Sequence, residues 1–79
     1  MPDEHALQEE QRKMRLLKTL VDLTTAILYQ GNLSTTEAIQ LISNTKKAVL
    51  TLFPGKEYTY DLIYKPRFER ILNERLERN

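Results

Sequence analysis

The chain has 79 residues, with 12 Lys+Arg against 11 Asp+Glu, no cysteine and one histidine. That length holds one small domain, spanning 1–79, and a chain 41% hydrophobic and 29% charged folds rather than remaining a disordered tail. Disulfides, thiolate metal centres and multi-histidine cages are excluded, and a net charge of +1 is far from the basic balance of a polyanion-driven binder.

Residues 4–29 read as one long first helix. Asp3 is the expected N-cap, Gly31-Asn32 the stop, and the interior is free of Gly and Pro. Apolar residues fall in two rows at three-and-four spacing. One row is Leu7, Met14, Leu17, Val21, Leu28; the other is Leu16, Leu20, Leu23, Ile27. A helix lining a single core needs one stripe of about 100°, so two stripes call for two neighbours. The polar first half, residues 4–15, is expected to project from the core, fray, or become ordered on a partner.

Leu33-Ser34-Thr35-Thr36-Glu37-Ala38 reads as a capping box, with Ser34 as cap and Glu37 reaching back to its amide. It opens a second helix over 35–53 whose core row is 38, 41/42, 45, 49 and 52, Thr45 being its one polar member. Pro54-Gly55 ends it. The short link back to Tyr29 makes helices one and two an antiparallel hairpin.

Residues 56–65 alternate Tyr58, Tyr60, Leu62 and Tyr64 as a strand would, but a lone strand has no pairing partner here. A short helix or turn is expected instead, with Thr59 capping it and Leu62 and Ile63 buried. Pro66 then suits the first position of a helix over 66–77, with Phe68, Ile71, Leu72 and Leu76 as its stripe. Lys65, preceding a proline, is expected to avoid the helical region. Arg70–Glu74 and Glu74–Arg78 are spaced for intrahelical ion pairs. The fold class is therefore all-α: an antiparallel helical hairpin plus a C-terminal helix.

No residue set reads as a catalytic centre. His5 sits in the first turn beside Glu4, with no apolar surroundings to tune it. The carboxylates lie mostly on polar helix faces, and Ser34, Thr35 and Thr36 have no accompanying base. Gly31 and Gly55 belong to no phosphate-binding loop. Neither a cofactor nor a metal site is expected. Two features remain. Tyr58, Tyr60, Tyr64, Lys65, Arg67 and Arg70 suit a contact surface, since tyrosine and arginine are enriched at interfaces; aromatics among cations also suit single-stranded nucleic acid. Arg12, Lys13, Arg15 and Lys18 form the densest basic cluster, beside the leucine seam, and could touch phosphates. Helix two followed by helix three makes a poor helix-turn-helix, because 12 residues separate Phe53 from Pro66.

Small domains need a staple, and with disulfides and metals gone self-association is what remains. The expectation is a non-catalytic interaction module or adaptor acting as a homo-oligomer, with a dimer favoured. Its interface is expected to use Leu16, Leu17, Leu20, Val21, Leu23, Ile27 and Leu28. The alternative is a small nucleic-acid-binding regulator. The opening Met-Pro-Asp-Glu-His resembles no secretory leader, and apolar runs such as 26–29 are far too short to cross a bilayer. A cytoplasmic setting without membrane insertion is expected.

Overall fold

The computed structural model describes residues 4–78, Arg78 through its backbone alone. The expected cap Asp3 and the Glu74–Arg78 pair therefore fall outside the described side chains. Four helices follow one another among the described residues: α1 (Glu4–Gln30), α2 (Thr35–Leu52), α3 (Glu57–Ile63) and α4 (Lys65–Arg78). None of these residues forms a strand.

The α1–α2 link turns on Gly31, whose φ of 75° is readily adopted only by glycine. Ser34 then caps α2. Its Oγ accepts from the Glu37 N–H at 3.1 Å, and the Glu37 Oε1 accepts from the Ser34 N–H at 3.1 Å. At the far end the Phe53 N–H donates to the Val49 carbonyl, and Gly55, at φ 80°, reverses the chain.

The register of the hairpin is set by Thr24 and Thr45, buried and 2.8 Å apart between their hydroxyl oxygens. Counting outward from that pair in opposite directions puts Leu17 beside Leu52. Residues before about 16 therefore have no α2 opposite them. At 1.5 Å per residue α1 is about 40 Å long and α2 about 27 Å, so α1 outruns its neighbour by more than two turns. From Glu4 to Leu16 no residue is buried. The molecule measures 53 × 22 × 15 Å.

Helix α4 packs against both α1 and α2. Its Phe68 and Ile71 complete a core of Leu17, Val21, Leu28, Ala38, Val49 and Tyr60. Phe68 and Leu28 are the largest side chains to be fully enclosed, and each contributes about 1.5–3 kcal/mol by burial. Tyr64 joins α3 to α4 with almost no break. Its N–H donates to the Tyr60 carbonyl at 2.8 Å, and its own carbonyl accepts from the Phe68 N–H at 3.0 Å.

Four local expectations are corrected. Lys65 does not avoid the helical region: it is the first residue of α4, and Pro66 fits in the first turn because no amide is needed there. Leu62, 64% exposed, and Ile63 face outward, while Tyr60 is the residue α3 buries. Lys56, not Thr59, holds the cap position of α3, and it makes no side-chain cap bond. Arg70 and Glu74 form no ion pair despite their spacing; the ion pairs among the described residues all belong to Lys46.

Candidate functional site

An α-helix turns about 100° per residue, which separates the two apolar rows of α1. Leu17, Val21, Thr24 and Leu28 point into the chain's own core. Leu16, Leu20, Leu23 and Ile27 lie about 100° round the helix. A cleft lined by Met14, Leu17, Lys18, Val21, Asp22, Tyr64 and Arg67 marks where α4 begins against α1. It lies on the side of Lys18 and Asp22, so the row from Leu16 to Ile27 faces away from α4. On α2, Lys46 reaches α3 through Glu57 at 3.1 Å and Asp61 at 3.0 Å. Leu41, Ala48 and Leu52 lie on the side of α2 away from Lys46, and all three are partly exposed.

The hairpin therefore has one face closed by α3 and α4 and one face open. The open face carries Leu16, 42% exposed, Leu23, 55% exposed, and the half-buried Leu20 and Ile27 beside Leu41, Ala48 and Leu52. Its remaining positions are Thr19, Ala26, Asn44 and Thr51. Lys18, Asp22, Lys46 and Lys47 all project elsewhere, and Arg12 and Glu37 bound the face at its two ends, so no charge lies within it. Of the seven residues expected at an interface, Leu17, Val21 and Leu28 thus lie inside the chain's own core. The other four line the open face. Sequence spacing had both rows; it did not show which one α4 would cover.

The aromatic segment is less of a surface than its composition suggests. Tyr60 is 3% exposed, and burial pushes its phenol up to about 12. Its ring centroid lies 5.6 Å from that of Tyr64, and the Arg67 guanidinium lies 5.8 Å from the Tyr64 centroid. Arg67 already occupies a face of Tyr64, which leaves that ring poorly placed to stack on a base. Tyr58, Lys65, Arg67 and Arg70 are exposed. Lys46 is held above its usual range by the Asp61 and then the Glu57 carboxylate. That ties α2 to α3 and leaves the amine a structural cation.

The basic cluster on α1 does not share one face. Helical rotation points Lys13 towards the core side, Arg12 and Arg15 towards the back, and Lys18 towards α4, with Glu9 and Glu10 in the preceding turn. A phosphate backbone would meet these four from different directions.

A cleft of about 300 Å³ lies at the opposite end, lined by Leu28, Tyr29, Gly31, Leu33, Ile71, Glu74 and Arg75. One Arg75 Nη atom donates to the Leu33 carbonyl and pins α4 to the hairpin loop. The other, Nη1, is buried without a hydrogen-bond partner. No nucleophile or base faces this cleft beyond Glu74 and the Tyr29 phenol. Among the described residues no group of His, Cys, Asp and Glu is placed to hold a metal ion, and no helix is long and apolar enough to cross a membrane.

Comparison with protein-family models, with curated proteins and with solved structures finds no significant match.

Proposed function

We propose that this protein is a non-catalytic helical interaction module that acts as a homo-oligomer, two copies joining through the open face of the α1–α2 hairpin. The observation that carries this reading is the charge-free apolar face of Leu16, Leu20, Leu23, Ile27, Leu41, Ala48 and Leu52. Charge depletion at the centre of a patch is the compositional mark of an interface. An uncharged face can meet its own copy without like-charge repulsion, so a second copy is a fitting occupant.

The surface area supports this. The chain exposes 6082 Å², where a compact monomer of this mass exposes roughly 5,000 Å². The surplus, about 1,100 Å², is shared between the projecting half of α1 and the open hairpin face, and is of the order of the roughly 800 Å² that each partner buries in a standard interface. The absence of cysteine fits a cytoplasmic setting for such a module.

The test is solution mass and melting temperature over a range of concentrations. The wild-type chain is expected to sediment above the mass of one chain, with a melting temperature that rises with concentration. Leu20→Glu with Ile27→Glu should separate or unfold the subunits. Leu23→Glu alone, at a more exposed position, should leave the helical spectrum intact and lower the mass. Unchanged mass and melting in both variants would overturn the interface.

A further inference from the structure

We propose that two copies of this chain also pair antiparallel through the projecting first half of α1, residues 4–16. This contact is separate from the open hairpin face and does not depend on it.

Leu7, Met14, Val21 and Leu28 recur every seven residues along one side of α1. In the body of the molecule Val21 and Leu28 are buried. In the projecting half the same stripe continues without cover: Leu7 is 48% and Met14 53% exposed. Between them runs a shallow groove of about 500 Å³, lined also by Glu10, Gln11 and Arg15. A seven-residue apolar repeat on an unsupported helix is the seam that a second helix covers.

The charges identify that second helix. Residues 4–10 carry Glu4, Glu9 and Glu10 and no Lys or Arg. Residues 12–18 carry Arg12, Lys13, Arg15 and Lys18 and no Asp or Glu. Among the described residues the ion pairs all belong to Lys46, so none of these side chains is paired with another of them. The acidic and basic blocks meet midway between Leu7 and Met14. A second copy laid antiparallel about that midpoint sets Leu7 against the partner's Met14 and Met14 against the partner's Leu7. The same register brings Glu10 within a turn of the partner's Lys13 on one flank of the seam and Glu4 to the turn holding the partner's Lys18 on the other. A parallel arrangement would stack acid on acid and base on base. Flanking charges set the orientation of paired helices in this way. Because the pairs are solvent-exposed, the association should be modest and should weaken with salt.

The chain has no native cysteine, so single cysteines report the register directly. Full-length Leu7→Cys and Met14→Cys chains, mixed under mild oxidation, are expected to give a disulfide-linked pair. Either variant alone should give little, because like positions lie about two helical turns, or 10 Å, apart. Self-linking of Leu7→Cys as efficient as the mixture would overturn the antiparallel register. Linking no greater than that of a cysteine placed at Glu69, exposed on α4 and outside both contacts, would overturn the pairing. A second experiment exchanges the charges. Glu4, Glu9 and Glu10 all changed to Lys makes the arm uniformly basic, and Arg12, Lys13 and Arg15 all changed to Glu makes it almost uniformly acidic. Each variant alone should sediment at no more than half the wild-type mass, and an equimolar mixture should restore that mass. Failure of the mixture to do so overturns the proposal. Leu20→Glu with Ile27→Glu should leave arm cross-linking unchanged if the chain stays folded, so a failure of the hairpin-face interface is told apart from a failure of the arm.

Discussion

Tyr60 shows how a single side chain couples packing to pH. Its ring closes the core between α3 and α4, but its hydroxyl is buried with no hydrogen-bond partner. A buried unpaired hydroxyl costs about 1–3 kcal/mol, so Tyr60→Phe should be more stable than wild type by about 1 kcal/mol in urea or heat. An unperturbed tyrosine ionises near 10, and burial moves this one to about 12. The folded state thus favours the neutral phenol. Its contribution is intact below pH 10 and is lost as pH rises from there towards 12. The Phe variant should lose less stability over that window, and an identical alkaline slope would contradict the burial argument.

The threonine pair makes a directional prediction. Thr45 Oγ donates its only proton to the Leu41 carbonyl at 2.8 Å, so Thr24 must be the donor in the 2.8 Å bond between the two hydroxyls. Thr24→Val removes a donor and leaves Thr45 satisfied; it should cost no more than about 1 kcal/mol. Thr45→Val leaves the Thr24 hydroxyl buried beside a methyl, and the expected cost is about 1–3 kcal/mol. The double valine variant should be more stable than Thr45→Val alone. A double-mutant cycle in denaturant measures all three.

Among the elements, α2 has the best-defined start. Ser34→Ala should cost about 1 kcal/mol by removing an acceptor for a first-turn amide. Glu37 completes the box, and its carboxyl is held below the usual value by the Ser34 amide and then by the Ser34 hydroxyl. That stabilisation is full above the ordinary carboxylate range and disappears as pH falls through the lowered value. Glu37→Gln keeps an acceptor and removes the titration, so it should flatten the acid side of a stability-versus-pH curve. Helix α1 is the contrasting case. Its second half is anchored by core packing, while none of residues 4–16 is buried and their order rests mainly on the helix ladder and helix-forming side chains. Such a segment is where a partner contributes most.

For the whole molecule, shape is the governing quantity. The radius of gyration is 14.6 Å, against about 12 Å for a compact chain of this length. Two helices, α3 and α4, packed on one side of the hairpin make a single-sided core, with one face of α1–α2 open and one end of α1 extended. The dependence of mass and melting on concentration is therefore the decisive measurement, because it reads the share of stability held outside a single chain.

The all-helical class, the hairpin and the Ser34–Glu37 cap were legible in the sequence because they rest on local rules: period, capping and short connections act within a few residues. Both apolar rows of α1 were legible for the same reason. The direction of α3 was not. Tyr60, Leu62 and Ile63 are equally plausible core residues by composition, and the 2.8 Å continuity through Tyr64 into α4 decided which of them turned inward. Thr24 is polar and breaks the apolar row between Val21 and Leu28, though its pairing with Thr45 follows once the two helices are set antiparallel.

Residue order alone thus determined where helices begin and end and how greasy each side is, since those follow from backbone hydrogen bonding and side-chain period. Only the tertiary structure decided which side α4 would cover, because that depends on long-range packing of Phe68 and Ile71 against the hairpin. The Leu17 row became core by that choice, and the Leu23 row stayed open to solvent.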